Sequence, residues 1–185
     1  MTDIKTALET HVSDRDWEMM AKHAGMPAAE VKKKVLNGIA NSLGADGTAE
    51  LTTVSSAPVL SDLALAPRTV ADDCATQDFE VSLFKIIGIK GSLKVCGTNT
   101  SNWTAELKVC LIVAGASVWC TTYHFDPHNL SVCFSPTVGV AKADLCFTVS
   151  IHSNKICLSI KGKACVWGLG WHCGKFNEQL FCIPI

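Results

Sequence analysis

Cysteine is missing from the first 73 residues and then occurs ten times between Cys74 and Cys182. Arginine shows the opposite bias. Both arginines, Arg15 and Arg68, precede the cysteine-rich part, whose positive charge is therefore lysine alone. Lysine lacks the planar fork that reads bases and phosphates in pairs, so we expect no nucleic-acid partner for that half. No apolar run is long enough to span a bilayer as a helix. The longest, "VCLIVAGASVWC" at 109–120, falls short, and no transmembrane segment is expected. Residues 1–16 have neither the basic nor the apolar region of a secretory leader. No CxxC pair, nucleophile elbow or glycine-rich phosphate loop after a strand is present. A zinc knuckle, α/β-hydrolase chemistry and a nucleotide cradle are thereby excluded.

The 185 residues suffice for one good core with a small satellite, and 48% hydrophobic against 18% charged residues excludes a disordered chain. The net charge of −1 is unevenly spread: residues 1–50 carry −2, residues 51–78 carry −3 and residues 79–185 carry +4.

Residues 1–44 read as a helical N-terminal segment. Ser13 caps a helix with Asp16 at its third position, and Trp17, Met20, Ala21 and Ala24 form its apolar stripe. Pro27 suits the first turn of a second helix, whose Val31, Val35, Ile39 and Leu43 recur every four residues before Gly44. An earlier short helix runs through Ile4, Leu8 and Val12. The stretch "EMMAKHAGMPAAEVKKKVLNGI" resembles a helix-turn-helix at Ala21, Gly25 and Val31, with Lys32, Lys33 and Lys34 on the second helix. The acidic balance of the segment argues against DNA as its partner. Residues 45–78, rich in Ala, Thr, Ser, Asp and Pro, read as a linker or extended segment.

From Phe79 the apolar period becomes two: Phe79, Val81 and Leu83; Leu93 and Val95; Leu107 to Val113; Val132 and Phe134; Leu145 to Ile151; Ile156 to Ile160. Turn sequences separate these runs. The pattern predicts a mainly β fold, a cysteine-rich antiparallel β-sandwich or barrel over residues 79–185, preceded by the short helical segment.

Several cysteines sit between two apolar residues, as in "VCL", "LCF" and "ICL". Alternation then puts them on the face opposite the core, where a free thiol gains little and a disulfide restricts the unfolded chain. The even count favours bonding for all ten, Cys74, Cys96, Cys110, Cys120, Cys133, Cys146, Cys157, Cys165, Cys173 and Cys182. Their pairing is not legible, since ten cysteines allow about 945 connectivities. Three N-glycosylation sequons, at Asn99, Asn102 and Asn129, fall near predicted turns of the same region. Both features point to an extracellular or cell-surface setting.

Two clusters carry candidate chemistry. "YHFDPHNL" alternates His124, Asp126 and His128, a spacing that can turn three metal ligands to one side, although "DPHN" is also a good turn. "ACVWGLGWHCGKF" gathers Trp167, Trp171 and Phe176 among three glycines, a composition suited to stacking on sugars or seating in a lipid surface. Carboxylates of the β part are few, and nothing pairs two of them for glycosidase chemistry.

The expected function is a non-enzymatic secreted or surface-exposed, lectin-like binding module without cofactor, with a carbohydrate, a lipid surface or a partner protein as ligand. The helical segment would be a pro-region, a docking element or an arm for homo-oligomers, with Arg68 as the basic residue of the linker open to a trypsin-like protease. The alternatives are a toxin-like membrane-active protein released from its pro-region, and a small metal-dependent enzyme using His124, Asp126 and His128.

Overall fold

A computed structural model describes residues 3–43, 53–54, 74–83, 86–97 and 101–184. Three helices open the chain: α1 (Ile4–His11), α2 (Asp14–Ala24) and α3 (Ala28–Leu43). The cap on α2 forms as its sequence dictates. Ser13 Oγ accepts from the Asp16 amide and the Asp16 carboxylate accepts from the Ser13 amide, so two otherwise orphaned donors are satisfied together. Gly25 ends the helix in the left-handed conformation at φ 65°. Ile4, Leu8, Val12, Trp17, Met20, Val31, Val35 and Ile39 are all buried, as their spacing predicts. The expected linker lies almost wholly outside the described residues, and so do Arg68 and Gly44.

Among the described residues ten strands follow in two antiparallel sheets. The first has the order β1 (Thr53–Val54), β2 (Cys74–Leu83), β3 (Ile87–Cys96), β4 (Thr104–Val113) and β5 (Ala116–Phe125), and is a simple meander. The second has the order β10 (Trp171–Pro184), β9 (Lys155–Trp167), β8 (Ala141–His152) and β6 (Ser131–Phe134), with β7 (Thr137–Val138) also on β8. The sheets are packed as a sandwich and are not closed into a barrel. Their inner faces carry the apolar alternation, and Phe79 of β2 meets Phe147 and Phe181 of the second sheet at ring-centroid distances of 6.1 and 6.2 Å. Ile151, a core residue by parity, is exposed because it lies two residues from the Ser153–Asn154 turn at the end of β8. No helix among the described residues is long and apolar enough to cross a membrane.

All ten cysteines are paired, and every pair obeys one rule. Cys74–Cys96, Cys110–Cys120, Cys133–Cys146, Cys157–Cys182 and Cys165–Cys173 each join residues directly opposite one another on neighbouring strands. Their Cα–Cα distances of 4.0–4.1 Å belong to the close, non-hydrogen-bonded type of antiparallel pair. All take outward-facing positions on their strands, with Cys157 and Cys165 buried there. For Cys182 this requires an irregularity, because its even number would turn it inward. The register shifts between Gln179 and Phe181, which sends both Leu180 and Phe181 into the core and restores Cys182 to the outer side. The glycines at the β9–β10 tip leave the register intact there: Trp171 stands opposite Trp167.

The helices close one end and one edge of the sandwich. Among the described residues β5 ends its sheet, and no described strand meets its outward amides. Helix α2 packs along it, and the Cys120 amide donates to His23 Nδ1 at 3.2 Å. Two glycines set the approach. A side chain at Gly38 of α3 would collide with Ala114 in the β4–β5 turn, and one at Gly139 would meet Val12 and Asp16. Ala114 itself stands at φ 49°, an unusual conformation for alanine. In a free helix Gly→Ala stabilises by about 0.8–1 kcal/mol. Gly38→Ala is expected to reverse that sign and lower the unfolding free energy, measured by denaturant titration. A stabilised variant would show that α3 does not rest on the turn.

Candidate functional site

The outer faces of the two sheets differ in charge, and the difference is built by register. On the first sheet opposite signs face one another: Lys90 stands across from Glu80 and Lys94 from Glu106. Glu106 also takes the Lys108 ammonium at 3.4 Å and lies 4.0 Å from His124. That face is balanced.

On the second sheet β8, β9 and β10 align their outward residues in rows. Lys142 meets Cys165, which meets Cys173; Asp144 meets Lys163, which meets Lys175; Cys146 meets Lys161, which meets Asn177. Lys163 and Lys175 are thus directly opposed like charges, two residues along from the Cys165–Cys173 bond and in the same class of close pair. Such a pair destabilises a sheet, and Asp144 is the one carboxylate on this face among the described residues. None of Lys142, Lys161, Lys163 and Lys175 forms an ion pair among the described residues. Beside Lys161, Lys163 and Lys175 lies a shallow, open basin of about 510 Å³, lined by them with Asp144, Asn177, Gly162 and Phe176. Gly162 lets β8 and β9 come close there, because a Cβ would strike the Asp144 carbonyl oxygen of the adjacent strand.

The aromatic residues expected to bind a ligand divide. Trp171, 38% exposed, lies on the outer face, and the Lys142 ammonium sits 4.3 Å from its ring centroid. Trp167, directly opposite, is half-buried under His11, whose ring stacks on it at 4.1 Å and 7°. His11 also approaches Trp171 edge-on at 6.0 Å. Phe176 belongs to the core at 8% exposure and reaches the site only as part of the basin lining. The tip between the tryptophans is held by Gly168 donating to the Gly170 carbonyl and by His172 Nε2 on the Gly168 carbonyl at 2.9 Å. Leu169 at that tip stands at φ 57° and is 48% exposed.

His124 lies in β5, and Asp126 and His128 lie in the turn after it, with an isolated bridge between Asp126 and Asn129. The Asp126 carboxylate accepts from the His128 and Asn129 amides at 2.7 and 3.0 Å and from Asn129 Nδ2 at 3.0 Å. Among the described residues, no three His, Cys, Asp or Glu side chains converge as a metal site. Asn102 and Asn129 are exposed and are not among the residues lining the basin, and Asn99 lies outside the described residues. The lysine rows were missed by sequence reasoning. Their signal was present: once Cys165 is paired with Cys173 around the tip, Lys163 must face Lys175.

Comparison with protein-family models, curated proteins and solved structures finds no match to this chain.

Two outcomes follow from this geometry. Trp167→Ala, which removes a packed and stacked ring, should cost about 2 kcal/mol of stability, whereas Trp171→Ala should leave the melting temperature nearly unchanged. The hydrogen bonds from Asn129 and His128 hold the Asp126 carboxyl below the usual aspartate range. Its contribution to the turn is therefore present above the ordinary aspartate pKa and lost as pH falls through the depressed value. A carboxyl-carbon NMR titration should show that midpoint below those of other exposed aspartates. A midpoint at the ordinary value would mean that the turn bonds are absent in solution.

Proposed function

We propose that the protein is a non-enzymatic extracellular or surface-exposed binding module, and that its ligand is taken on the outer face of the second sheet. The observation that carries this reading is the opposed Lys163–Lys175 pair. Folding alone would favour separating these charges or pairing them with carboxylates, as the first sheet does. A face that instead keeps lysines in excess of its one described carboxylate, Asp144 opposite Lys163, beside an exposed tryptophan is suited to meeting a partner that supplies negative charge and a surface to pack on. Five disulfides suit such a module, because they fit an oxidising environment. In this reading α1–α3 serve as a docking arm that shields the β5 edge and supports the tryptophan end through His11. A second reading, attachment to a lipid surface through the β9–β10 tip, draws on exposed Leu169 beside Trp171.

A glycan array and vesicle sedimentation, each run with the native protein and with the double variant Lys142→Gln/Trp171→Ala, test the proposal. Binding on either platform that falls in the variant at unchanged melting temperature is the expected result. Binding that is indifferent to the substitutions, or absent throughout, would defeat it.

A further inference from the structure

We infer that the basin receives an acidic carbohydrate chain, bearing sulfate or carboxylate groups, which runs from the Lys161–Lys163–Lys175 cluster toward Trp171. The inference rests on the reading of this face as the binding surface and adds the chemistry of the occupant.

Three features select it. First, Lys163 and Lys175 oppose one another at a close cross-strand position, with Lys161 one row farther along, so three lysine side chains line one shallow depression. A single bound sulfate or carboxylate removes their mutual repulsion, and the site's cationic character thereby becomes favourable only when it is filled. Second, the depression is shallow and open, and its rim is chemically mixed. Asn177 offers an amide donor and acceptor, and Asp144 offers acceptors, in the same lining as the lysines. Sugar hydroxyls use such groups. An array of lipid phosphates leaves the Asp144 carboxylate without a donor to meet. Third, Trp171 lies on the same strand and the same face as Lys175, four residues away, or about 14 Å at the rise of an antiparallel strand. An aromatic ring at that distance can pack against the apolar face of a later sugar in the same chain. The tryptophan end also carries Lys142, so cations mark both ends of the track.

The test uses the full-length oxidised protein and titration calorimetry against four probes: heparin, polygalacturonate, neutral dextran, and vesicles of phosphatidylcholine with phosphatidylserine. Binding to heparin or polygalacturonate that weakens with added salt is expected, and which of the two binds distinguishes sulfate from carboxylate. Lys163→Gln/Lys175→Gln should weaken that binding about ten-fold or more, as expected for lost charge-assisted hydrogen bonds. Its melting temperature should stay level or rise, because the like-charge pair is gone. Lys90→Gln/Lys94→Gln, on the other sheet, removes the same charge and should change affinity by less than about two-fold if the basin is the site. Equal losses in the two pairs would reveal unspecific charge attraction and overturn the inference. Binding to vesicles alone or to dextran alone would also overturn it while leaving the face as a binding surface. Absence of binding to all four probes would remove both this inference and the function from which it starts.

Discussion

The cross-strand disulfide at a close outer-face position is the constraint on which the rest of the structure depends. Each of the five bonds joins opposed residues on adjacent strands, so each one locks a register and with it the facing of every side chain along that ladder. The closed loops are short, with separations of 8 to 25 residues. On the chain-entropy account each such loop is worth about 2.5–3.5 kcal/mol, less any strain. None of the bonds links the two sheets, and none reaches the helices. The sheets share one apolar core, packed through residues such as Phe79, Leu107, Phe147 and Leu158.

This division of labour shapes the exposed surface. Because covalent rungs occupy part of both outer faces, the remaining outward positions need not contribute to strand pairing. The first sheet uses them for complementary charge, and the second sets like charges against each other. A sheet clamped at Cys157–Cys182 and Cys165–Cys173 can carry the Lys163–Lys175 repulsion between the two clamps. The edges are handled differently again. β5 is covered by α2, and the glycines at 38 and 139 bring helix and sandwich into backbone-close contact.

Much of this was legible from the residues. The capping box at Ser13, the four-residue spacing of Val31, Val35 and Ile39, and the outward parity of Cys96, Cys110, Cys133 and Cys157 follow from periodicity alone. Strand β10 was hidden, because its bulge at residues 179–181 breaks the alternation on which such a reading relies. The exposed basic face was hidden for another reason. Lys161, Lys163 and Lys175 are ordinary solvated lysines until a pairing partner is assigned to each, and register is a long-range property fixed by the disulfides. Phe176 looked like Trp171 in its glycine-rich setting, yet its parity turns it to the core while Trp171 faces out. Linker residues beyond the described strands, Arg68 among them, add nothing to this comparison.

The central claim is that native register is clamped by five specific rungs, and the most direct measurement is peptide mapping of the unreduced protein with free thiols blocked. The account predicts five linked peptides, joining Cys74 to Cys96, Cys110 to Cys120, Cys133 to Cys146, Cys157 to Cys182 and Cys165 to Cys173, with no blocked cysteine. Recovery of most cysteines in alkylated form, or of a different pairing such as Cys157 to Cys165 within one strand, would contradict it.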